Sequence, residues 1–172
     1  MTTPDDTAFI AALHKTLAFE GGFVDNPADH GGATNFGITQ RVYDAYLTGK
    51  GRPTATVQTI QPEEVREIYF DNYWLASKCD QLPSIIAAVH FDTAVNCGVT
   101  QANKFLQRAV GVAADGIIGP GTLGTVHNQT DILGVVSKYA SERAEFYIDL
   151  AIKNPSQIQF LNGWISRIIS LL

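Results

Sequence analysis

A chain of 172 residues, 45% of them apolar, has material for one compact domain or for two small lobes sharing a cleft, and is not disordered in character. Its net charge of −5, from 17 acidic and 12 dispersed basic residues, supplies no basic patch and argues against nucleic acid or an anionic membrane as the partner. Cys79 and Cys97 read as free, mostly buried thiols, and His14, His30, His90 and His127 lack the spacing of a zinc motif, so neither a disulfide framework nor a metal or other cofactor is expected.

The first residues, Met1 to Asp6, carry neither the basic n-region nor the apolar h-region of a secretory signal, so synthesis in the cytoplasm without standard export is expected. No apolar run is long enough to cross a bilayer, and membrane insertion is not expected. A helix is predicted from Thr7 to Phe19, with Phe9, Leu13 and Leu17 spaced four apart on one face. Glu20 falls on that face, because eleven residues from Phe9 rotate the chain 1100°, about 20° past three full turns. Apolar neighbours and the negative end of the helix dipole both favour a protonated carboxyl, which is what a general acid needs. Gly21 and Gly22 stop the helix.

Asp29 and Thr34 follow, with the glycines of His30-Gly31-Gly32-Ala33 between them. A tight bend there would return Asp29 and Thr34 opposite Glu20 and leave a gap for an activated water. Asp25 is the competing second carboxylate, although Asp25-Asn26-Pro27 is also good turn chemistry. Residues alone therefore point to a carboxyl-based hydrolase.

The stretch Glu20-Gly21-Gly22, Asp25-Asn26-Pro27, Asp29, Gly31-Gly32-Ala33-Thr34 and Asn35-Phe36-Gly37-Ile38-Thr39 resembles the signature of glycoside hydrolase family 108, the secretion-linked and phage-associated muramidases. Its order of Glu, Asp and Thr is also similar to that of the phage-type lysozymes. The resemblance implies cleavage of the bond between N-acetylmuramic acid and N-acetylglucosamine in peptidoglycan, with Asn35 among the residues at the glycan. Because the wall is itself anionic, binding would rest on sugar-directed hydrogen bonds and aromatic stacking.

Further along, Thr39 is expected to cap a helix through Val42, Ala45 and Tyr46, broken by Gly49-Lys50-Gly51-Arg52-Pro53 and followed by a flexible loop to Ile60. Gln61-Pro62-Glu63-Glu64 starts a helix through Val65, Ile68, Tyr69, Tyr73 and Trp74. Tyr69, Tyr73 and Trp74 either stack on pyranose rings or belong to the core; the family carries a similar Tyr-Trp pair. Ser84 to Cys97 is apolar nearly all round, the mark of a buried central helix stopped by Gly98. Asp92 and Asn96, four apart on it, either satisfy each other or open onto a cleft, where the Asn96 amide suits an N-acetyl group.

Thr100 is expected to cap a helix with Phe105, Leu106 and Val110 inward. Asp115-Gly116 then makes a turn and Pro120 opens a new helix; with Leu106-Gln107-Arg108 this resembles the predicted peptidoglycan-binding segment of the same family, whose plain reading is a connector docking two helices. A long helix from about Asp131 to Ile152 places Leu133, Val136, Tyr139 or Ala140, Arg143, Phe146 or Tyr147 and Leu150 on one side. The last helix is expected to turn Ile158, Leu161, Trp164, Ile165, Ile168 and Ile169 inward.

The expected architecture is mainly α, a lysozyme-like helical bundle with a small β-hairpin beside the active site. Residues 1–85 form its catalytic part and 86–172 a helical peptidoglycan-binding-like part, packed as one compact unit. Glu20 protonates the glycosidic oxygen, Asp29 stabilises the cationic sugar or positions water, and Thr34 holds that water. Asn35, Tyr73, Trp74 and Asn96 are the candidate substrate contacts. Peptidoglycan glycan strands are the expected partner, reached in the periplasm or wall after release by a holin or a secretion system. The rival functions are a lytic transglycosylase on the same substrate and a non-catalytic wall-binding or secretion-accessory protein.

Overall fold

The structure, a computed structural model, describes residues 3, 4, 6–25 and 32–172. Two compact units divide the chain between Asn72 and Tyr73. Both are helical, and the described residues contain one two-stranded antiparallel sheet, in the first unit. The mainly α architecture with a small hairpin is therefore as expected.

In the first unit, α1 (Thr7–Leu17) starts where the Asp6 carboxylate accepts from the backbone N–H groups of Ala8 and Phe9 at 3.0 and 3.2 Å. Its inner face, with Phe9 and Leu13, is buried, and Phe9 meets Phe70 edge-on at 5.0 Å. Strands β1 (Thr34–Asn35) and β2 (Ile38–Thr39) pair Thr34 with Thr39 and Asn35 with Ile38. The hairpin leads directly into α2 (Gln40–Gly49), capped by the Thr39 hydroxyl, which accepts from Val42 N–H. Tyr43 and Leu47 are the buried face of α2.

The segment before α3 is not the flexible loop the sequence suggests. Gln40 holds it from α2, accepting from Val57 N–H at 2.7 Å and donating to the Ala55 carbonyl at 2.8 Å. Asn35 holds it from the hairpin, donating to the carbonyls of Val57 and Gln58. Val57, anchored this way, is fully buried. Helix α3 (Pro62–Tyr69) opens on a reciprocal Gln61–Glu64 capping box and passes at Phe70 into a π-helical turn, Phe70–Leu75, so the expected single helix through Trp74 changes its winding after Tyr69.

In the second unit, α4 (Ser84–Cys97) is the buried helix the sequence predicts, with Ile86, Val89, His90, Phe91 and Asp92 all enclosed. It packs against α5 (Val99–Val110) and α7 (Ile132–Lys153), and α7 against α8 (Leu161–Leu171). Gly98, at φ +83°, joins α4 to α5, so the second helix starts from that glycine and not from a Thr100 cap. The Asp115-Gly116 turn before α6 (Pro120–His127) is fastened to α5: Gln107 accepts from Gly116 N–H at 2.8 Å and donates to the Asp115 carboxylate at 2.7 Å, and Asn103 donates to the Gly116 carbonyl at 2.9 Å. These bonds fit the connector reading of that turn.

Alongside their apolar residues, buried polar groups help set the inner faces of α7 and α8. The enclosed Asp92 carboxylate receives Arg143 from α7 at 2.7 Å and Arg167 from α8 at 2.7 Å. Arg143, Tyr139 and Tyr147 face inward on α7 as expected, together with Val136, whereas Leu133, expected with them, is exposed. On α8 Arg167 and Ile168 are inside and Ile169 out, while Ile158 lies exposed in a 3-10 segment ahead of the helix. His90 is equally enclosed, its Nε2 facing the carbonyl oxygens of Ser77 and Asn103 at 3.1 Å and its Nδ1 the Tyr139 hydroxyl at 3.0 Å. With two acceptors in front of it, Nε2 carries the proton of a neutral ring. Burial pushes this imidazole down to about 4, outweighing the bonds from Ser77 and Asn103.

Candidate active site

Helix α1 closes earlier than its apolar spacing suggests. Past Leu17 the chain tightens, Phe19 N–H donating to the Thr16 carbonyl and Glu20 N–H to that of Leu17, both at 3.1 Å. Glu20 therefore leaves the helix end half-buried, between the exposed aromatic rings of Phe19 and Phe23 in the chain. After the exposed Gly21 and Gly22, Val24 bridges to Thr34 through two reciprocal backbone bonds of 2.8 Å. The bridge ties the segment after Glu20 to the hairpin.

The hairpin turns at Phe36-Gly37, both at positive φ, +50° and +73°. Two such residues define the turn whose twist suits a two-residue hairpin. Glycine takes this conformation freely, whereas an aromatic residue there is strained by about 1–2 kcal/mol. Gly37 also lies against Glu20. A Cβ at Gly37 would lie 2.8 Å from Glu20 Oε2 and 2.7 Å from the Tyr69 hydroxyl, distances that real Cβ atoms do not show. The bare Cα of the hairpin apex thus forms the seat of the Glu20 carboxyl, with the Tyr69 hydroxyl beside it. Tyr69, at the end of α3, is buried and donates its hydroxyl to the Phe36 carbonyl at 2.8 Å.

Two other carboxylates of the first unit, Glu64 and Glu67, are unsuited to donating a proton. Burial by itself would raise Glu64, but the backbone N–H of Gln61, the Tyr43 hydroxyl and the Arg52 guanidinium together hold it below the usual carboxylate range. Glu67 is likewise held low by Lys50, at 2.6 Å, and by the Tyr46 hydroxyl. Both stay ionised at neutral pH. Their tyrosine partners are pushed up to about 12, by burial first and then by the carboxylate each one bonds. A hollow of about 490 Å³ beside these pairs is lined by residues including Arg41, Tyr46, Lys50, Asp71 and Asn72, and contains none of the residues the sequence selected.

Of the selected residues, Thr34 lies half-buried on β1, its hydroxyl 3.4 Å from the Gly32 carbonyl. Asp25 is exposed. Asp29 and His30 lie outside the described residues. Asn35 is buried, its amide nitrogen engaged by Val57 and Gln58. In the second unit Tyr73 is half-buried, Trp74 is buried against Phe91 edge-on at 5.6 Å, and Asn96 donates to the Asp92 backbone carbonyl of its own helix at 3.0 Å. Among the described residues no cluster of three or more His, Cys, Asp or Glu could hold a metal, and no helix is long and apolar enough to cross a membrane.

The Phe36-Gly37 apex and the hydroxyl of Tyr69 are the parts of the site that sequence reasoning missed. Glycine at the second turn position between Asn35 and Ile38 was a usable hairpin signal; phenylalanine at the first obscured it.

Comparison with known proteins agrees with this geometry. The family described as Glycosyl hydrolase 108 matches residues 13–98, and the one described as Predicted Peptidoglycan domain matches residues 101–169. No curated protein matches. Among solved structures the chain is similar to SagA of Brucella abortus, with a TM-score of 0.75 and 31% identity over 95% of this chain and 90% of that one.

Proposed function

Since the chain belongs to the glycosyl hydrolase 108 family, with the peptidoglycan domain after it, it is a glycosidase of peptidoglycan, and we propose that its activity is that of an N-acetylmuramidase. The mainly α, lysozyme-like fold agrees with that class. The observation that carries the reading is the seating of Glu20 at the hairpin apex, against Gly37 and next to the Tyr69 hydroxyl.

In this mechanism Glu20 is the general acid. It gives its proton to the glycosidic oxygen between N-acetylmuramic acid and N-acetylglucosamine as that bond breaks and positive charge develops on the sugar. Glu64 and Glu67 cannot take this part, because cationic and hydroxyl partners keep them ionised. Asp29 is assigned to the developing cation or to the attacking water, with Asp25 as its competitor for that role. The Thr34 hydroxyl orients the water. Asn35, Tyr73, Trp74 and Asn96 are the assigned glycan contacts, of which Tyr73 is half-buried and Asn96 exposed while Asn35 and Trp74 are enclosed within their own units. The enzyme acts in the periplasm or wall, after release by a holin or a secretion system.

Digestion of purified sacculi by the wild type and by Glu20→Gln tests this. The wild type is expected to release fragments with new reducing ends, and Glu20→Gln to lose at least about 100-fold in rate. Equal release by both would remove Glu20 from the mechanism. Fragments ending in anhydro sugars without reducing ends would make the enzyme a lytic transglycosylase.

A further inference from the structure

The hairpin apex holds two residues in the left-handed region, and one of them, Phe36, is not a core residue: it stays 39% exposed. The pairing of Asn35 with Ile38 and the Thr39 cap close the hairpin on their own account, and neither requires a phenol from a helix thirty-three residues away. Yet the hydroxyl of Tyr69, a residue only 1% exposed, is spent on the carbonyl of that strained residue. At the same apex the Gly37 Cα faces both the Tyr69 hydroxyl and the Glu20 carboxyl, so a shift of the apex moves the surface on which the carboxyl rests.

We infer that Tyr69 is a positioning residue for Glu20, tethering the Phe36-Gly37 apex at the height that gives the acid a single orientation toward the glycosidic oxygen. A catalytic side chain works at full rate only when its support is itself rigid, and a displacement of about 1 Å costs on the order of 100-fold. Tyr69 acts in this scheme through the apex on which the carboxyl rests. The inference rests on the reading of Glu20 as the acid.

Its test compares the wild type, Tyr69→Phe, Phe36→Asn and the double variant Phe36→Asn/Tyr69→Phe on purified sacculi, with Glu20→Gln alongside. Rates are expressed per folded molecule, read from circular dichroism at the assay temperature. Tyr69→Phe keeps the ring and should lower kcat about 10- to 100-fold with less than about a threefold change in KM. Asn-Gly holds this turn by itself, so on the Phe36→Asn background the same loss of hydroxyl should cost less than about threefold. An unchanged kcat in Tyr69→Phe, or an equal cost in both backgrounds, would overturn the inference. Should Tyr69→Phe not fold, the Phe36→Asn pair decides alone: near-equal rates support the tether, and a tenfold deficit refutes it. No difference between the wild type and Glu20→Gln would bring down the proposed function and this inference together; a dead Glu20→Gln beside an unimpaired Tyr69→Phe removes the inference only.

Discussion

Gly37→Ala separates the seat of the carboxyl from the stability of the fold. At φ +73° an alanine is strained by about 1–2 kcal/mol, which for a unit of this size lowers the unfolding midpoint by on the order of 5–10 °C. A domain with a typical stability of about 5 kcal/mol or more stays almost wholly folded at 25 °C after such a loss. The second effect is local. The added Cβ would stand 2.8 Å from Glu20 Oε2 and 2.7 Å from the Tyr69 hydroxyl, where ordinary contact begins at 3.4 Å. Tyr69 is the stiffer neighbour, buried and hydrogen-bonded, so the carboxyl at the end of its flexible chain gives way by several tenths of an ångström. A misplacement of that order costs roughly 10- to 100-fold in turnover. Initial rates of reducing-end release from sacculi at 25 °C, beside a thermal melt of the same preparation, read the two effects separately. A folded Gly37→Ala protein with wild-type turnover would show that the acid has no need of the glycine seat, and the site would have to be sought elsewhere.

Two further predictions concern the second unit. Asp92→Asn leaves two enclosed guanidinium groups facing a neutral amide and should cost about 3–5 kcal/mol by denaturant unfolding, whereas Asp149→Ala, which breaks the exposed pair with Lys153, should cost less than about 0.5 kcal/mol. Similar losses from both would contradict the central place given to Asp92. His90 is held down to about 4 by burial, so between that value and its unfolded value near 6.5 the unfolded chain binds the extra proton. Stability is thus fully present above about pH 6.5 and falls by on the order of 3 kcal/mol as the pH drops toward 4. His90→Asn should flatten that segment of the stability curve relative to the wild type; an unchanged slope would mean the imidazole does not titrate with unfolding.

What was legible in the sequence followed short-range rules. Apolar spacing located α1 and turned Phe9 and Leu13 inward, Thr39 capped α2, and the all-round apolar character of Ser84 to Cys97 marked α4 as central. Glu20 was found because it continued the stripe of α1, although the helix stops at Leu17 and a tight turn, not a further helical turn, delivers it. The features that escaped depend on partners distant in sequence. Tyr69 meets Phe36 across thirty-three positions and Arg167 meets Asp92 across seventy-five, and no periodicity records either. The same cause hid a part of α8: a carboxylate buried on α4 draws Arg167 inward, while the expected face of α7, Arg143 included, is the buried one and only Leu133, with Ile169 on α8, is left to solvent.

The Val24–Thr34 bridge sets a boundary for engineering as well as for the fold. Its two mutual hydrogen bonds join Val24 to the first strand of the hairpin. Lengthening a clamped segment carries only a slowly growing entropic penalty, about 0.6 kcal/mol per doubling. Length changes beside the bridge are thus expected to cost the hairpin little, whereas Asp29, assigned to the chemistry, is not exchangeable.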